Sequence, residues 1–335
     1  MMKNSRADAT LFGFDFQVNA AIVLMLDNIH ELKSLRLESK YEDIDIELVS
    51  GKHILAQAKS VVNSSSDFRN VRKNLKKALA SLSTGSKKIQ IEKLILITNS
   101  PNPLKEEASR SIFYGSARRD FATLPPSSKK IITDYLLDVE QPLNLDKFQI
   151  RVIPFETDDE AERYKVIWQE INNFIGEINI DLPGLGKKLH KIWCHDIFKN
   201  GSKKNAGIEI FKKELIWPLI VIVTDVDRID ADFRERFDSV YYDEIVRRYR
   251  ELIDYCCERL EFFTKILYDY NEYSHSYFGK DGCIQFTAEK WEDYSSEIEI
   301  DGLEDEIVEG LTKVIIYNII RRRYDINRIK QGVSL

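Results

Sequence analysis

The sequence is poor in cysteine, and this scarcity excludes two classes of protein. Its 335 residues contain four cysteines, which are Cys194, Cys256, Cys257 and Cys283. Their spacing matches neither a disulfide framework nor a zinc ribbon. We therefore expect a reducing, cytoplasmic setting for this chain.

Signals for secretion and for membrane insertion are also missing from the pattern. The first ten residues, MMKNSRADAT, contain no apolar core of the kind that a signal peptide needs. We expect no apolar run to approach the roughly 18 residues that a membrane span requires. The sequence therefore predicts a protein that makes no membrane contacts.

Several common catalytic motifs are absent as well. The segment GLGKK, residues 184–188, lacks the GxxxxGK[ST] pattern of a phosphate loop, and no buried strand precedes it. His190, Cys194 and His195 lie close together, but no second pair of ligands accompanies them, which argues against a zinc site. We find no Ser-His-Asp or Cys-His arrangement in the sequence.

The composition is that of a globular chain with two domains. Apolar residues make up 43% of the chain, charged residues make up 31%, and the net charge is −6. A chain of this length exceeds one ordinary core. The Pro-Gly segment at 181–186 is the best boundary, so we predict domains at 1–178 and 184–335, the second mainly helical.

A predicted β-hairpin at residues 41–60 carries most of the chemistry. Acids alternate with apolar residues on its first strand, and Gly51 supplies the turn. Asp43 and Asp45 share one face of the first strand, and Gln57 and Lys59 share one face of the second. Carboxylate and amide oxygens suit Mg²⁺, and a nearby lysine can stabilise charge on a phosphate. The alternative is an ordinary amphipathic hairpin with a wet face.

The segments after the hairpin predict a mixed α/β sheet flanked by helices. Residues 68–83 form an amphipathic helix, and residues 91–100 form a buried central strand. The helix is rich in basic residues, and no acidic residue occurs between Asp67 and its end at residue 83. Contact with a phosphate backbone and a solvated helix face are equally good readings of this pattern. The candidate DNA-binding residues are Arg69, Arg72, Lys73, Lys76 and Lys77.

The hairpin resembles that of the PD-(D/E)xK nucleases, which carry an Asp on one strand and an acid or amide two residues before a Lys on the next. The entry GFDFQ at residues 13–17, with EDID and QAKS, is similar to the nuclease domain of SAVED-bearing CBASS effectors and of the Lamassu anti-phage nuclease subunit. The resemblance covers about residues 10–175. It implies a restriction-endonuclease-like fold and a Mg²⁺ (or Mn²⁺) cofactor.

The resemblance also implies roles for individual residues. It makes Asp43, Gln57, Lys59, Asp45 and Gln17 catalytic candidates, and Asp43, Gln57 and Glu38 metal ligands. Asp43 and Asp45 both fit the spacing, and Asp43 fits the DID pattern better. Gln57 stands where an acid is usual, which leaves less negative charge for the cation. From the sequence alone, a capping or solvated role for Gln17 is the simpler interpretation.

The function implied by the resemblance is a DNA endonuclease of little sequence specificity. It would be an effector of a Lamassu-like defence complex, inactive until triggered by a partner or by formation of a homo-oligomer. The implied partners are DNA, an SMC-like ABC ATPase subunit and a small accessory subunit, which the acidic C-terminal half would contact. The alternatives are a CBASS-type effector, a non-catalytic DNA-binding or scaffold subunit with a nuclease fold, and a structural protein.

Overall fold

The computed structural model describes residues 4–139, 142–156, 158–180, 182–223, 239–274, 280–298, 304–321 and 323–335. The chain forms two compact units. The first comprises Met1–Leu215 together with Val333–Leu335, and the second comprises Ile216–Gly332. The second unit is therefore inserted between two parts of the first.

The first unit contains a mixed sheet in the order β5-β6-β4-β3-β2-β1-β7. Pairs β3–β4 and β4–β6 are parallel, whereas the other neighbouring pairs are antiparallel. The predicted mixed sheet is thus confirmed. Its strands are β1 (Leu32–Leu37), β2 (Ile44–Leu48), β3 (His53–Lys59), β4 (Ile91–Thr98), β5 (Ala117–Asp120), β6 (Phe148–Val152) and β7 (Ile210–Phe211).

Helices cover both faces of this sheet, so its central strand is apolar on both sides. In β4, Leu94 and Leu96 pack in one buried cluster with α2, while Ile95 and Ile97 are buried on the opposite face. The helices are α1 (Asn4–Asp27), α2 (Val71–Gly85), α3 (Glu107–Arg110), α4 (Pro126–Leu136), α5 (Glu160–Arg163), α6 (Lys165–Glu177), α7 (Leu185–Gly201) and α8 (Lys212–Val223). Helix α8 continues from the first unit into the second.

The division between the units lies later in the chain than the Pro-Gly segment at 181–186. Helix α7 follows that segment and packs on α1 and β1. Strand β7 then pairs with β1 at the sheet edge. Both elements belong to the first unit because they complete its sheet and cover it. A turn signal marks where the chain changes direction, and it does not report where packing ends.

The second unit is helical in its described residues, as predicted. Its core contains Ile253, Phe263, Leu311 and Ile315, each fully buried. The helices are α9 (Ser239–Glu258), α10 (Leu260–Ser274), α11 (Lys280–Lys290), α12 (Glu292–Ser295), α13 (Asp305–Arg321) and α14 (Arg323–Gly332).

Within the described residues, one helix is long and apolar enough to cross a membrane by length and composition alone. It is the Asp8–Asp27 part of α1, with a mean hydropathy of 1.6. The expectation that no segment approaches this length was wrong, because the apolar residues after Asn19 offset the few polar ones. Since 56% of this apolar stretch is buried inside the protein, α1 also has the properties of a core helix.

Candidate functional site

Backbone register places Asp43 beside Gln57. Ile44 pairs with Ala56 across β2 and β3, so Asp43 lies opposite Gln57, with Lys59 two residues further along the same face. The tight turn is formed as expected, because Gly51 adopts a φ of +77° that other residues rarely adopt. The predicted convergence of an acid, an amide and an amine is therefore present in the hairpin.

Three donors converge on one oxygen of Asp43. The backbone N–H of Ala58 donates to Oδ2 at 3.0 Å, and the Gln57 side-chain amide also donates to it. The Lys59 ammonium lies 3.6 Å from the same oxygen. Burial raises the pKa of Asp43, and Lys59 opposes that rise. Lys59 thus compensates a carboxylate that is largely removed from water.

Gln17 connects α1 to this hairpin. Its side-chain amide donates to Glu38 Oε1 at 2.8 Å and to the backbone oxygen of Asp43 at 3.1 Å. Glu38 has a φ of +51°, which turns the chain at the end of β1. Gln17 therefore points toward the hairpin and is not a solvated or capping residue. Its bond to Glu38 holds that carboxylate beside Asp43.

Asp45 lies on the same face but is engaged elsewhere. Its Oδ1 is 2.8 Å from His53 Nδ1, and the residue is only 7% exposed. Burial raises the pKa of Asp45, and His53 opposes that rise. The described contacts group Asp43 with Gln57 and Lys59, and they group Asp45 with His53.

Glu42 belongs to this neighbourhood, although the sequence did not single it out. It is 5% exposed, and neither carboxylate oxygen has a hydrogen-bond partner in the described residues. Its pKa is raised to about 7, mainly by burial and to a smaller extent by the Asp43 carboxylate, while the nearby Ser81 hydroxyl and the Lys59 ammonium oppose the rise. The signal available in the sequence was the Glu42-Asp43 pair, but strand alternation predicts nothing about a residue in a loop.

The donor set fits a hard divalent cation. Asp43 and Glu38 supply carboxylate oxygens, and the Gln57 amide supplies a neutral oxygen once its nitrogen no longer faces Asp43. No cluster of three or more His, Cys, Asp or Glu side chains able to hold a metal occurs in the described part of the chain. A site with two carboxylates and one amide suits Mg²⁺, which keeps several waters and borrows ligands from phosphates.

The predicted basic residues differ in their contacts. Arg69 pairs with Asp67 at 2.8 Å, and Lys76 pairs with Asp138 at 2.5 Å. Arg72 donates to the backbone oxygens of Leu104 and Lys105, so its guanidinium is used within the fold. The other two, Lys73 and Lys77, are exposed on α2.

A second polar cluster joins α1, α6 and α7. The Trp168 indole N–H donates to His190 Nδ1 at 3.0 Å, and His190 Nε2 lies 2.7 Å from Asn19 Oδ1. Because an indole can only donate, Nδ1 carries no proton and Nε2–H donates to Asn19. Cys194 Sγ lies 3.3 Å from that Nε2, which cannot accept the thiol proton.

The electrostatics of this cluster agree with a structural role. Burial lowers the pKa of His190 to about 4 and raises the pKa of Cys194 to about 12. A neutral thiol beside a protonated Nε2 is not an activated nucleophile. The cluster resembles a Cys-His-Asn triad in composition, but its hydrogen bonds link α1, α6 and α7 and leave no base for the thiol.

No family model and no curated protein matches the chain. Among solved structures it is similar to the Acinetobacter baumannii Cap4 SAVED/CARF-domain containing receptor, at 15% identity over 62% of this chain and 47% of that one, with a TM-score of 0.37. The same receptor with the cyclic trinucleotide 3'3'3'-cAAA aligns at 15% identity over 61% of this chain and 43% of that one, with a TM-score of 0.36. The chain thus covers less than half the length of these receptors.

Proposed function

We propose that this chain is a metal-dependent DNA endonuclease and the effector subunit of a bacterial anti-phage complex of the Lamassu type. The observation that carries the proposal is the convergence of Gln57, Ala58 N–H and Lys59 on Asp43 at the mouth of a hairpin. Gln17 adds a second carboxylate, that of Glu38, to the same place. The motif resemblance over residues 10–175 supports the defence context.

Each residue has a distinct task in this proposal. Asp43, Gln57 and Glu38 would hold Mg²⁺ or Mn²⁺, which when bound polarises the scissile phosphate and stabilises the leaving oxygen. Gln17 keeps Glu38 oriented toward Asp43. Lys59, freed from Asp43 as a cation takes its place, stabilises the charge that develops on the phosphate or orients the attacking water. Asp45 is held by His53 and takes no part in this cation site.

The resting arrangement supports a low basal activity. Asp43 Oδ2 is saturated by three donors, so a cation has to compete with an internal ammonium for this carboxylate. A partner or a second copy that draws Lys59 away from Asp43 would lower this barrier. We propose that the SMC-like ATPase subunit and the small accessory subunit provide this trigger.

The test compares Lys59→Ala with Lys52→Ala in the same hairpin. The Lys52 side chain is half-exposed and pairs with the half-exposed Glu92, so it provides a control for loss of one positive charge. We expect Lys59→Ala to reduce plasmid cleavage by a factor of about 10²–10³ in the assembled, activated complex, by analogy with loss of one transition-state donor. Lys52→Ala should cut at the parent rate, and excess EDTA should abolish cleavage by both. Parent-level cleavage by Lys59→Ala would reject the site.

Metal binding gives a readout that does not depend on turnover. Calorimetric titration with Mn²⁺ should show one site in the parent chain, and Asp43→Asn should lose it. Asp45→Asn should keep it, because Asp45 is engaged by His53. Equal Mn²⁺ binding by all three proteins would remove the cation from the scheme. Stimulation of cleavage by a cyclic trinucleotide would instead favour a CBASS-type effector, and DNA binding without cleavage under every condition would favour a non-catalytic subunit.

A further inference from the structure

The two flanks of α2 face different parts of the first unit. Asn74 lines a narrow cavity together with Lys59. Near the other end of the helix, Ser81 contributes to the electrostatic environment of Glu42, and a Cβ on Gly85 would lie 3.4 Å from Glu42 Cγ. One flank of α2 therefore runs alongside the candidate site from Lys59 to Glu42.

Helix geometry decides which lysines share that flank. A residue advances about 100° around an α-helix, so Lys77 lies about 60° from Asn74 and about 40° from Ser81. Lys76 lies about 140–160° from the same two residues. Although they are neighbours in sequence, Lys77 belongs to the flank beside the site and Lys76 to the opposite flank.

The observed contacts agree with this division. On the far flank, Lys76 pairs with Asp138 at 2.5 Å and Arg72 donates to the Leu104 backbone oxygen at 3.1 Å. Lys77 is exposed, and its ammonium has no ion pair or hydrogen bond in the part of the chain that the structure describes. On the far flank, Arg72 and Lys76 thus have internal partners, whereas Lys77 on the near flank has none within the described residues.

Lys40 lies in the turn between β1 and β2, next to Tyr41. It is exposed, and its ammonium lies 4.8 Å from the centre of the Tyr41 ring. The Tyr41 carbonyl packs against α2, since a Cβ on Gly85 would come within 2.6 Å of it. Lys40 therefore lies two residues before the buried Glu42 in the chain, and Lys77 lies on the flank of α2 that carries Ser81, whose hydroxyl acts on Glu42.

We propose that the phosphate backbone of duplex DNA enters the site along this flank of α2, contacted by Lys77 and Lys40. Arg69, Arg72 and Lys76 stabilise the fold and do not contact DNA. The inference rests on the proposed function and specifies its substrate path. Exposed ammonium groups near an acidic site are complementary to a polyanion that has to approach carboxylates.

The experiment measures binding of the full chain to a fluorescent DNA duplex in EDTA, which prevents cleavage, at several salt concentrations. Lys77→Gln is compared with Lys76→Gln, because both remove one positive charge from adjacent positions of one helix. Loss of one phosphate contact should reduce the salt exponent of the affinity by about 0.9, equivalent to about eightfold weaker binding at 0.1 M salt. The double variant Lys40→Gln/Lys77→Gln should lose about 60-fold, and Lys76→Gln should match the parent.

The outcomes separate this inference from the proposed function. Equal weakening by Lys76→Gln and Lys77→Gln, or no weakening by Lys77→Gln, would overturn the substrate path while leaving the cleavage test at Lys59 unaffected. Absence of duplex binding by the parent would overturn the path and the DNA substrate together. Weakening confined to Lys77→Gln, in a protein whose Lys59→Ala variant cuts normally, would support the path and reject the site.

Discussion

Acidification is expected to destabilise the first unit through His190. In the folded chain burial lowers its pKa to about 4, and its Nδ1 accepts a hydrogen bond from the Trp168 indole N–H. In the unfolded chain the pKa is near 6.5. Between pH 4 and pH 6.5, His190 is therefore protonated in the unfolded chain and neutral in the folded chain. Stability is therefore greatest above about pH 6.5 and falls as the pH decreases toward 4.

The size of the effect follows from the shift. Each pKa unit corresponds to about 1.36 kcal/mol, so a shift of about 2.5 units removes about 3 kcal/mol between pH 6.5 and pH 4. Carboxylates also titrate in this range, so the informative quantity is a difference between variants. His190→Gln does not ionise, and its amide can still accept from Trp168 and donate to Asn19. His195→Gln is the control, since His195 is exposed.

The assay is urea unfolding followed by tryptophan fluorescence at half-unit steps from pH 7.5 to pH 4.5. As the pH falls, the free energy of unfolding should decrease more steeply in the parent and in His195→Gln than in His190→Gln. The difference in slope should reach that of one bound proton, about 1.36 kcal/mol per pH unit. Histidine NMR signals should include one, absent from His190→Gln, that stays in its neutral position at pH 5. Parallel loss of stability by the parent and His190→Gln would refute a buried neutral imidazole.

Two further predictions concern packing and buried charge. In thermal unfolding, Gly85→Ala should destabilise the first unit by about 1–3 kcal/mol, because the new Cβ would lie 2.6 Å from the Tyr41 carbonyl oxygen. Gly176→Ala, whose new Cβ would meet no atom within 4 Å, should stabilise it by about 0.5–1 kcal/mol. Asp27→Ala should cost about 3 kcal/mol, because the 5% exposed Arg151 loses its 2.6 Å partner and keeps only the Glu170 carboxylate at 3.7 Å among the described residues. Asp138→Ala, which breaks an exposed pair, should cost less than about 1 kcal/mol; equal effects in either comparison would contradict the reasoning.

The arrangement of the hairpin side chains follows from strand alternation. Two-residue periodicity puts Asp43 and Asp45 on one face whatever the rest of the chain does, and the Gly51 turn fixes which residue of β3 lies opposite. The choice between the two aspartates was open in the sequence. His53, which lies across the hairpin, engages Asp45 and leaves Asp43 with Gln57.

Contacts between residues far apart in the sequence could not be predicted from local patterns. The contact of Gln17 with Glu38 spans 21 residues, and the contact of Asn19 with His190 spans 171. Such pairs depend on how helices lie on the sheet, which periodicity does not encode. The same limitation applies to α2. Its basic composition was visible in the sequence, but which of its lysines and arginines have internal partners was not.

Local spacing of apolar residues was enough to predict the hairpin, the buried central strand, the mixed sheet and the helical C-terminal region, because each depends on periodicity along a few turns or strands. Contacts between distant segments, by contrast, separate Asp43 from Asp45, bury Glu42 beside Asp43, and pair Lys76 but not Lys77 within the described residues. The tertiary structure also placed the division of the units after Leu215. These outcomes depend on contacts between distant segments, whose free energy is set by packing and burial that no local spacing contains.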